Sequence, residues 1–185
     1  MSLEIVGLAI PDVKLVTPKR FGDDRGFFSE TYNAQRFKDA GITVDFIQDN
    51  HSYSAPAGTV RGLHYQAPPF AQSKLVRVLR GRILDVAVDV RKDSPTYGKW
   101  VSAELSAANG VQIFVPQGFL HGFATLEQDC EIAYKVDNYY SAECDGAVLW
   151  NDPDLGIDWG LDPSTVTLSG KDAAAQPFSE FRTPF

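Results

Sequence analysis

Apolar and polar residues alternate over short stretches of the chain, and this pattern predicts a protein built mainly from β-strands. The clearest stretch is RILDVAVDV at residues 82–90. One of its faces is aliphatic and the other carries two carboxylates, the two sets being Leu84, Val86, Val88 and Val90, and Ile83, Asp85, Ala87 and Asp89. We therefore expect the face with Asp85 and Asp89 to line a wet cavity or a sheet edge rather than the main core.

Neighbouring stretches extend the strand pattern. Residues 74–90 predict an antiparallel hairpin with a tight turn near Gly81. Further strands are predicted in MSLEIVGLAIPDV, VSAEL, GVQIFV, GFATL and EIAYKV. NAQRFKDAG predicts one short helix, with Asn33 as its cap and Gly41 as its end. Short strands separated by Gly, Pro and Asn favour a sandwich or a barrel.

Length and turn-forming residues define the expected domain organisation. The chain has 185 residues, of which 44% are hydrophobic, and this suits a single domain over residues 1–185 with a substantial core. After Trp150 the stretch NDPDLGIDWGLDPS predicts loops, since Asp, Pro and Gly favour turns. No internal repeat or linker divides the sequence.

The net charge limits the kinds of partner that the protein can bind, and the number of cysteines indicates the cell compartment in which it works. A formal net charge of -7 argues against nucleic acid and anionic membranes as partners, because both require a positive surface field. An anionic small ligand would need a local cluster of the 17 Lys and Arg residues. Two cysteines are too few for a disulfide framework and suit a reducing, cytoplasmic setting. No stretch reaches the roughly 18 to 20 apolar residues of a membrane span.

Two histidines follow turn signals and lie beside strand-like sequence, His64 in RGLHYQ and His121 in VPQGFLHGF. An isolated histidine is more often a hydrogen-bonded residue of a barrel interior, but Arg61 and Lys74 lie close to His64 in sequence. PQGFLH has the P-x-G-x-x-H pattern of the second cupin motif, and GLHYQ resembles the first. Metal-binding cupins carry a second histidine where this chain has Gln66. We therefore expect no metal and no metal-dependent oxygenase chemistry.

Eight phrases together carry a resemblance to one family. They cover most of residues 23–172 and are DDRGFFSE, FIQDNHSYS, TVRGLHYQ, KLVRVLRGRILDVAVDVR, VPQGFLHGF, YKVDNYY, LWNDPDLGIDW and LSGKD. In them the chain resembles the dTDP-4-dehydrorhamnose 3,5-epimerases, a metal-free branch of the cupin superfamily. The resemblance implies a mainly β, cupin-type double-stranded β-helix, or jelly-roll barrel, with a few short helices. It also implies an isomerase that needs no cofactor.

The resemblance assigns four residues to proton transfer. In a 4-keto sugar the C–H bonds at C3 and C5 are acidic, because the carbanion is delocalised onto the ketone oxygen as an enolate. His64 is implied as the base, with Asp172 fixing its tautomer and stabilising the imidazolium. Tyr134 is implied as the acid that returns a proton to the opposite face, and Lys74 as the cation near the ketone oxygen. Tyr139 is interpreted as structural.

The resemblance also implies a set of substrate-binding residues. They are Arg25, Glu30, Gln48, Asp49, Asn50, Arg61, His121, Tyr140, Asp145 and Lys171. Guanidinium groups suit a diphosphate because their planar donors engage two oxygens at once, and Tyr140 is expected to stack on the base. Asp145 stands where the family usually has Glu, so the reach of this shorter carboxylate to the ligand is open.

The expected function is 3,5-epimerisation of dTDP-4-dehydro-6-deoxy-D-glucose on the route to dTDP-L-rhamnose. Two alternatives stay open: an epimerase that inverts C3 only, and a cupin that binds a nucleotide sugar without catalysis. A metal-dependent cupin is a third, disfavoured by Gln66. The family forms homodimers that exchange N-terminal strands, so Arg25 and Glu30 are candidates to serve the neighbouring subunit.

Overall fold

The structure is a computed structural model and describes residues 3–185. It is mainly β, as the alternation predicts. The thirteen strands are β1 (Leu3–Gly7), β2 (Lys14–Pro18), β3 (Arg20–Asp23), β4 (Gly26–Ser29), β5 (Gln48–Ser54), β6 (Val60–Gln66), β7 (Lys74–Arg80), β8 (Arg82–Asp89), β9 (Trp100–Ser106), β10 (Gln112–Val115), β11 (Phe119–Thr125), β12 (Cys130–Val136) and β13 (Asp145–Ala147). The helices are α1 (Ala34–Asp39) and α2 (Gly170–Ala173), with a single 3-10 turn at Pro163–Thr165.

Two antiparallel sheets form the body of the protein. The first has the order β1-β2-β10-β7-β12-β5 and the second β13-β6-β11-β8-β9, while β3 and β4 form a separate hairpin. Antiparallel sheets packed face to face, with strands that pass from one to the other, are the jelly-roll form of the cupin barrel. The predicted fold class is confirmed.

The predicted hairpin of residues 74–90 is wrong. Both strands exist, but β7 lies in the first sheet between β10 and β12, and β8 lies in the second between β11 and β9. Between the two strands stands Gly81, with φ of +79°, where a Cβ would approach the Cys130 Sγ to 2.5 Å. The chain therefore turns a corner of the barrel there instead of folding back on itself.

Both faces of β8 are buried, one between the two sheets and the other on the outer side of the second sheet. Ile83 and Ala87 join the core between the two sheets, contrary to expectation, whereas Asp85 on the same face bonds to His121, which lines a cavity. Val86 and Val88 pack on the outside of the second sheet against Trp159 and other residues of the segment after Trp150. A strand covered on both sides explains why each of its faces needed apolar residues.

The predicted helix is confirmed as α1. The Asn33 side chain caps it by accepting a hydrogen bond from the Arg36 amide at 3.2 Å, and Phe37 is its buried residue. The segment after Trp150 contains no strand within the described residues, as predicted, but it does contain the short helix α2. No helix of residues 3–185 is long and apolar enough to span a membrane.

Candidate active site

His64 and His121 lie directly opposite each other on neighbouring strands of the second sheet. The register of β6 and β11 pairs His121 with His64. Beside them the strands approach unusually closely, because a Cβ on Gly62 would lie 2.6 Å from the Cα of Gly122. The backbone of Gly62 also has a φ of +127°, a conformation that residues other than glycine rarely adopt. The close approach of Gly62 and Gly122 thus helps to bring the two histidine-bearing strands, and both imidazoles, to one cavity.

Asp172 reaches His64 from α2, outside both sheets. His64 Nε2 and Asp172 Oδ1 form a hydrogen bond, and Asp172 is only 2% exposed. Burial alone would raise the pKa of Asp172, but the hydrogen bond and charge of His64, with the Ser169 hydroxyl and Lys171, lower it below its ordinary value. The carboxylate is thus held ionised beside the imidazole, which leaves His64 Nδ1 as the nitrogen that can exchange a proton with a ligand.

A second histidine–carboxylate pair lies in the same sheet. Nε2 of His121 is 2.9 and 3.0 Å from the two carboxylate oxygens of Asp85 on β8, and both residues are buried. A carboxylate shared in this way fixes the orientation of the ring. His121 is therefore a rigid part of the cavity wall.

Lys74 and Tyr134 stand on adjacent strands of the first sheet, β7 and β12, across the barrel from the histidines. Burial lowers the pKa of Lys74 to about 8, even though Asp85 and Asp145 favour its charged form. Burial also raises the pKa of Tyr134 above its ordinary value of 10.0, although Arg61 opposes this shift. At neutral pH the cavity therefore contains an ammonium and a protonated phenol.

These side chains surround one cavity of about 410 Å³, which adjoins a second of about 310 Å³. The first is walled in part by apolar residues such as Val76 and Phe123, and the second mainly by polar ones. Eleven of the predicted site residues line one or both cavities: His64, Asp172, Tyr134, Lys74, Gln48, Asn50, Arg61, His121, Tyr140, Asp145 and Lys171. A concave, partly apolar space with a few converging polar groups is typical of a small-molecule site.

Several of the predicted binding residues in the two cavities are held in place by hydrogen bonds to neighbouring residues. Arg61 donates to the Ser54 hydroxyl at 3.1 Å and to the Tyr53 carbonyl at 2.9 Å. Asp145 accepts hydrogen bonds from Lys171 and, at 3.2 Å, from the Tyr140 hydroxyl. The shorter carboxylate at position 145 is therefore engaged with two other predicted binding residues.

Three predicted binding residues lie away from these cavities. Arg25 sits in the turn between β3 and β4, with its side chain 89% exposed and paired with Asp23 at 2.5 Å. Glu30 pairs with Arg36 at 3.2 Å. Asp49 points to the other side of β5 from Gln48 and Asn50 and pairs with Lys135 at 2.8 Å. Within a single chain these side chains do not join the group around His64.

Sequence reasoning did not single out three polar residues of the site. Asp85 was predicted only to face a wet cavity or a sheet edge, without a partner, and Ser169 was quoted only as part of the LSGKD phrase. Ser52 lies in the first cavity and, among residues 3–185, has the one buried side-chain oxygen that lacks a hydrogen-bond partner. The alternation of Gln48, Asn50 and Ser52 along β5 was the available signal for it.

Gln66, which occupies the place of a metal-binding histidine in other cupins, uses its side-chain amide to bond to backbone. Its side chain donates to the carbonyls of Phe70 at 2.7 Å and Tyr139 at 3.2 Å, and it accepts from the Ser141 amide at 2.7 Å. The amide thus tethers two loops. Across the described part of the chain, no group of three or more His, Cys, Asp or Glu residues is arranged to hold a metal ion.

The fold and the cavity define a cupin-type barrel equipped for proton transfer at a small-molecule ligand. Comparison with known proteins makes the class specific, since the family model described as dTDP-4-dehydrorhamnose 3,5-epimerase matches residues 7–180. The chain belongs to this family.

Individual relatives agree with the family match. The Sinorhizobium fredii protein named dTDP-4-dehydrorhamnose 3,5-epimerase is 53% identical over 178 residues, which cover 96% of this chain and 91% of the relative. The crystal structure of a Legionella pneumophila 3,5-epimerase in complex with dTDP-4-keto-L-rhamnose superposes with a TM-score of 0.93 at 44% identity, covering 98% of this chain and 95% of that one. A Bacillus anthracis enzyme with TDP and PPi bound gives a TM-score of 0.92 at 49% identity, covering 95% and 99%.

Proposed function

We propose that this protein is a dTDP-4-dehydrorhamnose 3,5-epimerase. It converts dTDP-4-dehydro-6-deoxy-D-glucose to dTDP-4-dehydro-L-rhamnose on the route to dTDP-L-rhamnose, and it does so as an isomerase without a cofactor. The observation that carries the proposal is the hydrogen-bonded pair of His64 and Asp172, which shares one cavity with Lys74 and Tyr134 in a chain of this family.

Proton removal is assigned to His64. C3 and C5 of the sugar flank the C4 ketone, so loss of either proton gives an enolate. Nδ1 of His64 accepts the proton, and Asp172, bonded to Nε2, stabilises the imidazolium that forms. The lowered pKa of Asp172 supports this assignment, because only the ionised carboxylate stabilises the cation.

Stabilisation of the enolate is assigned to Lys74 and reprotonation to Tyr134, both on the first sheet, across the cavity from His64. The Lys74 ammonium donates to the oxygen at C4 while that oxygen bears negative charge. Tyr134 then delivers its phenolic proton to the other face of the carbon, and the phenolate and imidazolium re-equilibrate with solvent. The raised pKa of Tyr134 keeps the phenol protonated until the enolate carbon is formed.

The nucleotide is assigned to the more polar second cavity. Gln48 and Asn50, which are hydrogen-bonded to each other at 3.0 Å, and the exposed Tyr140 supply amide and aromatic groups for the thymine and deoxyribose. Arg61 serves the diphosphate from the first cavity. Lys171, whose ammonium is neutralised by Asp145, adds a further donor at the junction of the two cavities.

Solvent deuterium incorporation tests the proposal. In D2O, dTDP-4-dehydro-6-deoxy-D-glucose should yield product labelled at both C3 and C5, as read by NMR, and EDTA should not reduce the rate. Label at C3 alone would identify a 3-epimerase. Binding of dTDP without any label would identify a non-catalytic cupin, and loss of activity on chelation a metal-dependent one.

A homodimer with exchanged N-terminal strands is part of the proposal. The hairpin of β3 and β4 carries Phe27 and Phe28, which are 61% and 63% exposed in the single chain, and Arg25 at its turn. Large exposed aromatic residues favour a protein interface. In the dimer Arg25, and Glu30 just after β4, contribute to the partner's cavity.

Mixed dimers test this arrangement. Arg25→Ala and His64→Ala homodimers should both be nearly inactive, while a heterodimer of the two variants carries one site with both native groups and should regain about half of the wild-type rate. If Arg25 served its own subunit, the heterodimer would stay inactive. A monomer in light scattering would refute the dimer itself.

We further propose that residues 1–185 form one domain of a cytoplasmic protein. Residues from both sheets, such as Val76 and Leu105, share one core, and Cys130 and Cys144 are free thiols, as expected in a reducing compartment. A single cooperative unfolding transition checks the first statement, and fractionation of the host cell checks the second.

A further inference from the structure

Ser169 contacts Asp172 in two ways through a single hydroxyl. The residue is the N-cap of α2, and its Oγ accepts a hydrogen bond from the Asp172 amide at 3.1 Å. The same Oγ donates to Asp172 Oδ2 at 2.9 Å. Ser169 also lines the first cavity, beside His64.

The two oxygens of the Asp172 carboxylate therefore have separate partners. Oδ1 bonds to His64, and Oδ2 accepts the Ser169 hydroxyl proton. Asp172 is buried, and a buried carboxylate oxygen without a donor is costly. Without this donor the anion is less stable and its plane is free to rotate away from the imidazole.

We propose that Ser169 is a positioning residue for the reaction: its hydroxyl fixes the plane and the ionised state of Asp172, and through Asp172 the tautomer and orientation of His64. The inference rests on the proposed function, in which His64 is the base. It assigns to the first residue of the SGKD sequence a role distinct from substrate binding and from helix capping alone.

The charged groups around the pair fix the sign of the expected pH effect. Asp172 on α2 faces His64 on β6, with His121 of β11 opposite His64 and with Lys74 of β7 and Tyr134 of β12 in the same cavity. Lys171 lies next to Asp172 on α2, and its ammonium is engaged by Asp145 of β13. Loss of the Ser169 donor makes the Asp172 anion less stable and so raises the affinity of the Asp172 carboxylate for a proton. The acid limb of the kcat/KM profile therefore moves to higher pH.

Three substitutions of Ser169 separate positioning from capping. Ser169→Ala should lower kcat roughly 10-fold to 100-fold, as expected for the loss of a hydrogen bond to a charged group, with KM nearly unchanged and the acid limb shifted upward. Ser169→Thr keeps the hydroxyl and should restore most of kcat and the wild-type acid limb. Ser169→Asp keeps a capping acceptor but replaces the donor with a like charge, so it should fold normally and still lose kcat.

Asn33→Ala is the matched control, because it removes the cap of α1, a helix that lines neither cavity, and should leave the pH profile unchanged. Circular dichroism and dTDP binding establish that each variant is folded. If folded Ser169→Ala or Ser169→Asp shows wild-type kcat and an unshifted acid limb, the inference is overturned. Failure of the proposed function is distinguishable, since the wild-type protein would then incorporate no deuterium at C3 and C5.

Discussion

Substitution of Lys74 by Met tests two effects of the buried Lys74 ammonium, its cost to the stability of the fold and its contribution to turnover. Met keeps the length and apolar stem of the side chain but removes the ammonium from the cavity wall. In the native protein burial lowers the pKa of this ammonium to about 8 from its ordinary value of 10.5, although Asp85 and Asp145 oppose the shift. The charged form is therefore less stable in the folded protein than in the unfolded chain.

The size and the sign of the effect on stability follow from this shift. At about 1.4 kcal/mol per pKa unit, the displacement corresponds to a cost of ~3 kcal/mol in the free energy of unfolding. Below pH 8 the folded and unfolded states both hold the proton, so the full cost is present. Between pH 8 and 10.5 the unfolded chain binds more protons than the folded one, and the stability of the native protein rises with pH.

Urea unfolding at pH 7 and pH 9.5 provides the measurement. Lys74→Met should be more stable than the native protein by up to ~3 kcal/mol at pH 7, and the difference should shrink at pH 9.5. Its turnover should fall by roughly 10²-fold to 10³-fold, because the enolate loses its cation. Lys74→Arg is the control that keeps a positive charge. Equal stability of Lys74→Met and the native protein at pH 7 would refute the burial argument, and native turnover of Lys74→Met would refute the assigned role.

Three further substitutions probe other parts of the structure. Tyr134→Phe should still wash deuterium into recovered substrate but form product at least ~10²-fold more slowly, and equal loss of both rates in the NMR assay would point to a positioning role instead. Arg61→Ala should weaken dTDP binding roughly 10-fold to 100-fold in calorimetry, as the loss of a charged hydrogen-bonding group predicts; unchanged affinity would place the diphosphate elsewhere. Gly62→Ala should lower the free energy of unfolding, measured in urea, by at least ~3 kcal/mol, because the new Cβ would lie 2.6 Å from the Cα of Gly122. Gly22→Ala is the control and should change the free energy of unfolding little, since the nearest atom to its Cβ would be 3.6 Å away.

The sequence located β1 and β7 to β12, but it assigned no strand to β2 to β5 or to β13, and it paired β7 with β8 wrongly. Alternation with period two reports that a segment is extended and which residues share a face, so β7 and β8 were both found. It carries no information on which strands exchange hydrogen bonds, and the single residue Gly81 between them looked like a turn. The distinction between a hairpin and a corner depends on contacts with Cys130 and with strands far along the chain.

In the candidate site, too, the sequence identified single residues but not the contacts between distant ones. His64 stood out because of its residue type and its neighbours, but its contact with Asp172 joins positions 108 residues apart and could be anticipated only through the family resemblance. The helix that presents Asp172 has four residues, too few for a periodic pattern. Arg25 and Glu30 were predicted for the site but lie apart from it in one chain, which a second subunit would explain.

The placement of Asp172 outside both sheets has a consequence for protein engineering. The cavity is built on paired strands, where His121 takes its carboxylate from Asp85 in the barrel itself. His64 instead takes its carboxylate from a surface segment that follows the last strand. A designer can therefore replace Asp172 or its neighbours in α2, for instance to obtain a nucleotide-sugar receptor that does not catalyse, without changing a residue of either sheet.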